Sequence, residues 1–179
     1  MSAGADTPIA RLVRRIDLPA VAEDRFAAAA GRSRGRLFGG LVAAQSVVAA
    51  GRSVEAGELH SLHAWFLRAG SGDRPIDYRV ERIRDGRRFS SRRVVAEQDA
   101  RPIFEMLASF SRKSQGVSHQ DPAPALPPPE ELEDWEDVRA RLAAMPRRRG
   151  GVEAFDVRVV EPERDAPLAR SAPSRAIWM

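Results

Sequence analysis

The segment Gly40 to Val54, GLVAAQSVVAAGRSV, is apolar on nearly every face, with Leu41, Val42, Val47 and Val48 spread round the helix and only Gln45 and Ser46 interrupting before Gly51. A helix patterned this way is wrapped on most sides rather than laid on a surface. The rest of the chain must therefore supply the wrapping. Gly39 and Gly40 stand at its start, where the absence of a side chain lets backbone approach a neighbour or a ligand closely.

Four strand-like runs follow. Leu59 to Leu67 is rich in aromatic and apolar residues, and Ile76, Tyr78 and Val80 alternate with Asp77, Arg79 and Glu81, the period-two pattern of a half-buried strand. Asp85-Gly86 is a hairpin signal leading into Phe89 to Gln98. That strand turns at Asp99-Ala100 into Pro102 to Ser111, where Phe104, Met106, Ala108 and Phe110 form one face. The runs predict an antiparallel meander, with one further strand and a short element from Ala10 to Leu18 and Asp24 to Ala29. One buried helix and a sheet curled round it make an α+β arrangement.

Length, at 179 residues with 43% hydrophobic, suits one well-buried core plus an extra segment. Five prolines between Asp121 and Glu130 cannot continue a sheet or a helix and read as a linker. Leu132, Trp135, Val138 and Leu142 then take helical spacing within Glu130 to Met145, and Phe155 to Val160 and Arg175 to Met179 look like two more strands. The expected organisation is a first domain over 1–114, a Pro-rich linker and short helix over 115–150, and the incomplete start of a second domain over 151–179. The chain stops inside the apolar run Ile177-Trp178-Met179, as a fragment would.

Charge excludes little. The 29 basic residues exceed the 25 acidic ones by 4, mostly through arginine, which suits an anionic ligand without pointing to nucleic acid. Cysteine is absent, so disulfides, thiolate metal sites and a cysteine nucleophile are excluded. No run reaches the roughly 20 apolar residues of a membrane span, and Met1 to Ile16 lacks the core of a signal peptide. A cytoplasmic protein is expected.

Leu37-Phe38-Gly39-Gly40 with the helix through Gln45, then His60-Ser61-Leu62-His63-Ala64-Trp65-Phe66-Leu67-Arg68-Ala69-Gly70, Asp85 to Val94, Pro102-Ile103-Phe104 and Ala108-Ser109-Phe110 together resemble the acyl-CoA thioesterase II family. Phe155 to Pro162 and Pro173 to Met179 look like the opening strands of that family's second hotdog. The resemblance implies a hotdog fold, a long central helix wrapped by a curled antiparallel sheet, and hydrolysis of fatty acyl-CoA without metal or organic cofactor. It also implies assembly, as a homo-oligomer or by pairing with a second hotdog. The rival reading is a non-catalytic acyl-CoA-binding or subunit-interaction module.

Thioester hydrolysis needs an activated water and donors aimed at the carbonyl oxygen where negative charge develops. By resemblance, the donors are backbone N–H groups at the start of the central helix, from Phe38 to Leu41, helped by its dipole. Phe38, Gly39, Gly40, His60 and Phe66 are the candidate substrate-binding residues and Gln45 the candidate for orienting water. Gln45 serves more readily as a core residue hydrogen-bonded to a neighbouring strand, and its amide cannot take a proton. The Asp, the Ser or Thr and the Gln that orient the water in the family lie in the second hotdog, and no residue of this sequence matches those positions, so weak activity is expected of this chain alone. Strict alternation puts His60 and His63 on opposite faces of one strand, without metal-ligand spacing. Phe66, Phe104, Met106 and Phe110 read as core, Arg92 or Arg93 as a solvated arginine open to phosphate, and Arg147 to Gly151 as a flexible basic linker.

Overall fold

The computed structural model describes residues 6–31, 35–113, 115–143, 154–160 and 176–179. The chain divides into two compact units, one formed by Val13–Val117 and the other by Met1–Leu12 with Ser118–Met179. The expected basic linker over Arg147 to Gly151, and Arg175 at the start of the last expected strand, lie outside the described residues.

In the larger unit, helix α2 (Gly39–Arg52) packs against an antiparallel sheet in the order β1-β2-β4-β5-β6-β3, built from β1 (Ala20–Ala22), β2 (Arg25–Ala28), β3 (Glu58–Phe66), β4 (Ile76–Asp85), β5 (Phe89–Gln98) and β6 (Arg101–Ser111). The alternation read from the sequence places Ile76, Tyr78 and Val80 of β4 and Phe104, Met106, Ala108 and Phe110 of β6 in the core. These face Val42, Ala49 and Ala50 of α2 within one cluster.

The meander holds only for β4, β5 and β6. β3 pairs with β6, from Glu58 opposite Ser111 to Phe66 opposite Phe104, so it lies at the far edge rather than beside β4. The reason is in the connection. Leu67 to Pro75 forms no tight hairpin; instead Leu37 N–H donates to Gly70 C=O at 3.0 Å and Gly72 N–H to Gly35 C=O at 2.8 Å, tying the loop to the approach to α2. The N-terminal expectation also changes: Ala10 to Leu18 falls largely in helix α1 (Pro8–Ile16), where Pro8 suits the first turn and Thr7 Oγ1 accepts from Ala10 N–H at 3.2 Å.

α2 is less evenly wrapped than its composition predicts. Leu41, Val42, Gln45, Ser46, Ala49 and Ala50 are buried along a single stripe, whereas Val47 and Val48 are half-buried. The stripe includes both polar residues, and each is satisfied. Ser46 Oγ donates to Val42 C=O at 2.9 Å, and Gln45 is held by two partners described below.

Arg92 is a larger departure. It is not a solvated arginine but lies 1% exposed on the inward face of β5, in alternation with Val94 and Ala96. Its guanidinium donates to Ser53 Oγ at 2.7 Å, Ser53 C=O at 3.0 Å, Arg84 C=O at 3.0 Å and Asp85 Oδ1 at 2.6 Å. A buried cation persists only when its donors are met, and these are. The contacts pin the C-terminal end of α2 to the β4–β5 hairpin. They also hold the Asp85 carboxyl below its ordinary range, chiefly through the Arg92 hydrogen bond. Arg93, on the opposite face, bridges Glu105 of β6 at 2.7 Å and Glu81 of β4 at 3.3 Å.

In the smaller unit, the Pro-rich stretch through Pro128 has no regular structure and leads to a short 3₁₀ turn at Pro129–Glu131. Helix α3 (Trp135–Ala143) follows, started by Asp134, whose carboxylate accepts from Glu136 N–H at 2.9 Å. β7 (Arg158–Val159) and β8 (Ile177–Trp178) form an antiparallel pair, shorter than the runs read from sequence. Val138 and Val159 are buried.

Candidate active site

α2 begins without a side-chain cap. Phe38 at its N-cap has extended backbone, φ −72° and ψ 120°, and its C=O accepts from Leu41 N–H at 3.0 Å, but no side chain caps the helix, so the N–H groups of Gly39 and Gly40 are the ones open to an approaching group. A cleft of about 430 Å³ opens there, lined by Gly39, Val42, Phe66, Ile103 and Phe104, with Arg36 and Arg68 beside them. The ring of Phe66 stands edge-on to Phe104 with centroids 5.0 Å apart. Phe104 is buried while Phe66 is 65% exposed, so Phe66 is a wall of the cleft and not the core residue its composition suggests.

Gly39 is where the backbone must come close: a Cβ there would lie 2.7 Å from the Phe66 ring. A Cβ on Gly40 would lie 2.6 Å from the ring of Phe38, which is 76% exposed, whereas the Phe66 ring met by Gly39 is packed edge-on to Phe104. The two glycines are therefore unequal. Arg68 is fixed at the rim by donating to Pro102 C=O at 2.8 Å, and among the described residues the lining has no carboxylate, histidine or hydroxyl. Positive charge and uncapped N–H groups beside aromatic and aliphatic surface suit an anionic or polarised group carrying an apolar chain.

The other candidates are not brought to this cleft. Gln45 follows Gly39 by six residues, roughly 9 Å along the helix axis, and lines a separate hollow of about 450 Å³ with Leu41, Ala28 and Ile76. Its amide is committed at both ends, accepting from Tyr78 O–H at 2.5 Å and donating to Arg15 C=O at 2.5 Å. Burial raises the Tyr78 phenol further above its ordinary range, which keeps it a donor.

His60 lies six residues before Phe66 on β3, roughly 20 Å away at strand spacing. The register slips between Leu59 and Ser61, leaving His60 as the extra residue of a bulge, hydrogen-bonded to Ser109 Oγ at 2.8 Å. Ser109 shares a face of β6 with Leu107, the partner of His63, so the bulge overturns strict alternation and sets both histidines on one face. They still do not pair, since His60 meets Phe89 and His63 meets Trp65. Among the described residues no cluster could hold a metal ion.

Sequence reasoning missed Arg36, Arg68 and Ile103 as cleft residues. The signal available was Arg68-Ala69-Gly70 directly after a strand, where a basic residue and a glycine leave the sheet together.

An antiparallel sheet packed on one principal helix, with a cleft at that helix's start, is the hotdog architecture. A protein from Alicyclobacillus acidocaldarius described as having a hotdog fold shares it, with a TM-score of 0.66 over 84% of this chain and 55% of that one at 18% identity. Residues 29–111 match the family described as acyl-CoA thioesterase N-terminal domain. The chain is 38% identical over 157 residues to human acyl-coenzyme A thioesterase 8, covering 80% of this chain and 49% of that protein. It is also similar to the crystal structure of acyl-CoA thioesterase II TesB2 from Mycobacterium marinum, with a TM-score of 0.71 and 36% identity over 93% of this chain and 59% of that one. Over residues 29–111 the chain is therefore similar to the N-terminal domain of acyl-CoA thioesterases. It spans about half the length of the human relative.

Proposed function

We propose that this chain serves the hydrolysis of fatty acyl-CoA to free acid and coenzyme A, and that its own part is to bind the thioester end. The observation that carries this reading is the cleft at the uncapped start of α2, with arginines at its rim and Phe66, Phe104 and Ile103 inside it. The N–H groups of Gly39 and Gly40 would face the carbonyl oxygen, and the apolar lining would take the first carbons of the acyl chain. In this reading α2 is the central helix round which the sheet curls.

Among the described residues the lining is aliphatic, aromatic and arginine, which favours a division of labour in which the water is activated by a second hotdog. The exposed edge supports such pairing. On β3 and its neighbour β6, Leu62, Trp65, Phe66 and Leu107 are 48%, 45%, 65% and 43% exposed. An apolar, unpaired sheet edge is a site of association. On this reading residues 1–114 form the first hotdog and 151–179 belong to the start of the second.

The test pairs calorimetric titration of a non-hydrolysable acyl-CoA analogue with a thiol-release assay. Saturable binding with little or no turnover is expected of this chain by itself. Failure to bind would sink the reading, and fast turnover lost on Gln45→Ala would return the chemistry to Gln45.

A further inference from the structure

We propose that Gln98 is the positioning residue of the cleft, acting on the loop that forms its wall rather than on the ligand. This rests on reading the cleft as the thioester site. Gln98 ends β5 and is 6% exposed, deep for a polar side chain beside a turn. Its three hydrogen bonds all go to one loop: Oε1 accepts from Ser71 N–H at 2.9 Å, and Nε2 donates to Ser71 C=O at 2.8 Å and Arg74 C=O at 3.1 Å. An amide offers two donors and an acceptor on one rigid plane, so this side chain reads the loop backbone and nothing else.

What the loop does next makes the contact functional. Gly70 C=O and Gly72 N–H bond to Leu37 and Gly35, and Leu37 is two residues from the start of α2. A Cβ on Gly70 would lie 2.6 Å from Leu37 Cδ1, 3.1 Å from Ile103 Cδ1 and 3.2 Å from Gln98 Oε1, so three walls of the site converge on a position without room for a side chain. The β5–β6 turn and the start of β6 also hold the loop, through the Arg74–Asp99 ion pair, through Pro102 C=O, which accepts from the Arg68 guanidinium at 2.8 Å, and through Ile103 C=O, which accepts from Leu67 N–H at 2.9 Å and Arg68 N–H at 3.2 Å. Those ties grip the loop's two ends, and Gln98 alone among the described side chains donates to the carbonyls between them. With Gln98 removed, Gly70 and Leu37 lose the backing that sets the height of Gly39 against Phe66.

Gln98→Leu and Gln98→Glu separate this from a merely stabilising contact, using amide hydrogen exchange, thermal melts and titration of the acyl-CoA analogue. Q98L is expected to accelerate exchange at Leu37 and Gly72 at least tenfold while the β4–β5 amides are unchanged, and to weaken analogue binding at least tenfold. Q98E keeps the acceptor for Ser71 N–H but turns a carboxylate towards two carbonyl oxygens. It should share the defect at neutral pH and recover on acidification, when the protonated acid regains a donor. Uniform acceleration throughout the sheet, or loosening of the loop with affinity intact, would overturn the proposal, as would a Q98E defect that acid does not relieve. If the parent binds no analogue, the functional reading falls by itself, and local exchange at Leu37 and Gly72 decides the role of Gln98.

Discussion

The two ends of α2 are built on opposite plans. At the C-terminal end two cations are anchored: Arg92 donates to the hydroxyl and C=O of Ser53, while Arg52 donates to Leu18 C=O and pairs with Asp17. Ser53 adds its own hydroxyl bond to Ala50 C=O at 2.7 Å. At the N-terminal end no side chain caps the helix, and an exposed aromatic ring stands over a glycine. Cations at a helix C-terminus stabilise it, whereas an uncapped N-terminus leaves donors unsatisfied until something binds. One end holds the fold together and the other is kept available, so stability and ligand binding should respond to different substitutions.

Arg92→Ala is the strongest way to break that contrast. It empties a buried site and takes the guanidinium donors from the Ser53 and Arg84 carbonyls, while Asp85 stays open to water; each buried group left unsatisfied costs about 1–3 kcal/mol. A fall in Tm of more than roughly 10 °C is expected in thermal melts. The fraction still folded should bind the acyl-CoA analogue as the parent does. Loss of affinity without loss of Tm would mean that the two ends are not separate.

Gly39→Val tests the other end. Its side chain would be driven into the Phe66 ring, an overpacking that costs about 1–3 kcal/mol, and calorimetry should show at least tenfold weaker analogue binding. Gly40→Val, against the exposed ring of Phe38, should bind within about threefold of the parent. Equal effects at the two glycines would show that the cleft does not lie on the Gly39 side.

The smallest effect is expected at the turn beside the cleft. Asp99 and Ala100 both take left-handed backbone, with φ of 51° and 59°, as a two-residue hairpin requires. Alanine is disfavoured there by roughly 1–2 kcal/mol. Part of that is returned as unfolded-state freedom when glycine is introduced. Ala100→Gly should raise Tm by a few degrees. An unchanged or lower Tm would show that the turn is relaxed as it stands.

Much of this was legible beforehand, for reasons that can be named. Period two fixed the inward faces of β4 and β6, because successive side chains on a strand must point to opposite sides. The same rule applied to β5 puts Arg92 in line with Val94 and Ala96. An arginine is read as solvated because buried charge is costly, and its cancelling partners, Ser53 and Asp85, are not visible as partners in the sequence. At His60 the rule itself failed, since a single bulged residue shifts the phase of the strand.

The sequence by itself determined the helix, the strands, the hairpin at Asp85-Gly86 and, through ordered motifs from Leu37 to Phe110, the resemblance to acyl-CoA thioesterases. These are local patterns or long matches, and neither depends on which strand lies next to which. Only the tertiary structure decided that β3 leaves the meander for the far edge beside β6, that Gln45 turns to Tyr78 and Arg15, and that Gly39, Phe66, Arg68 and Phe104 meet in one cleft. The physical reason is that strand order and side-chain partners are set by which long-range hydrogen bonds are satisfied together. The bonds from the 70–72 loop to Gly35 and Leu37 join residues far apart in the chain, with no periodicity to announce them.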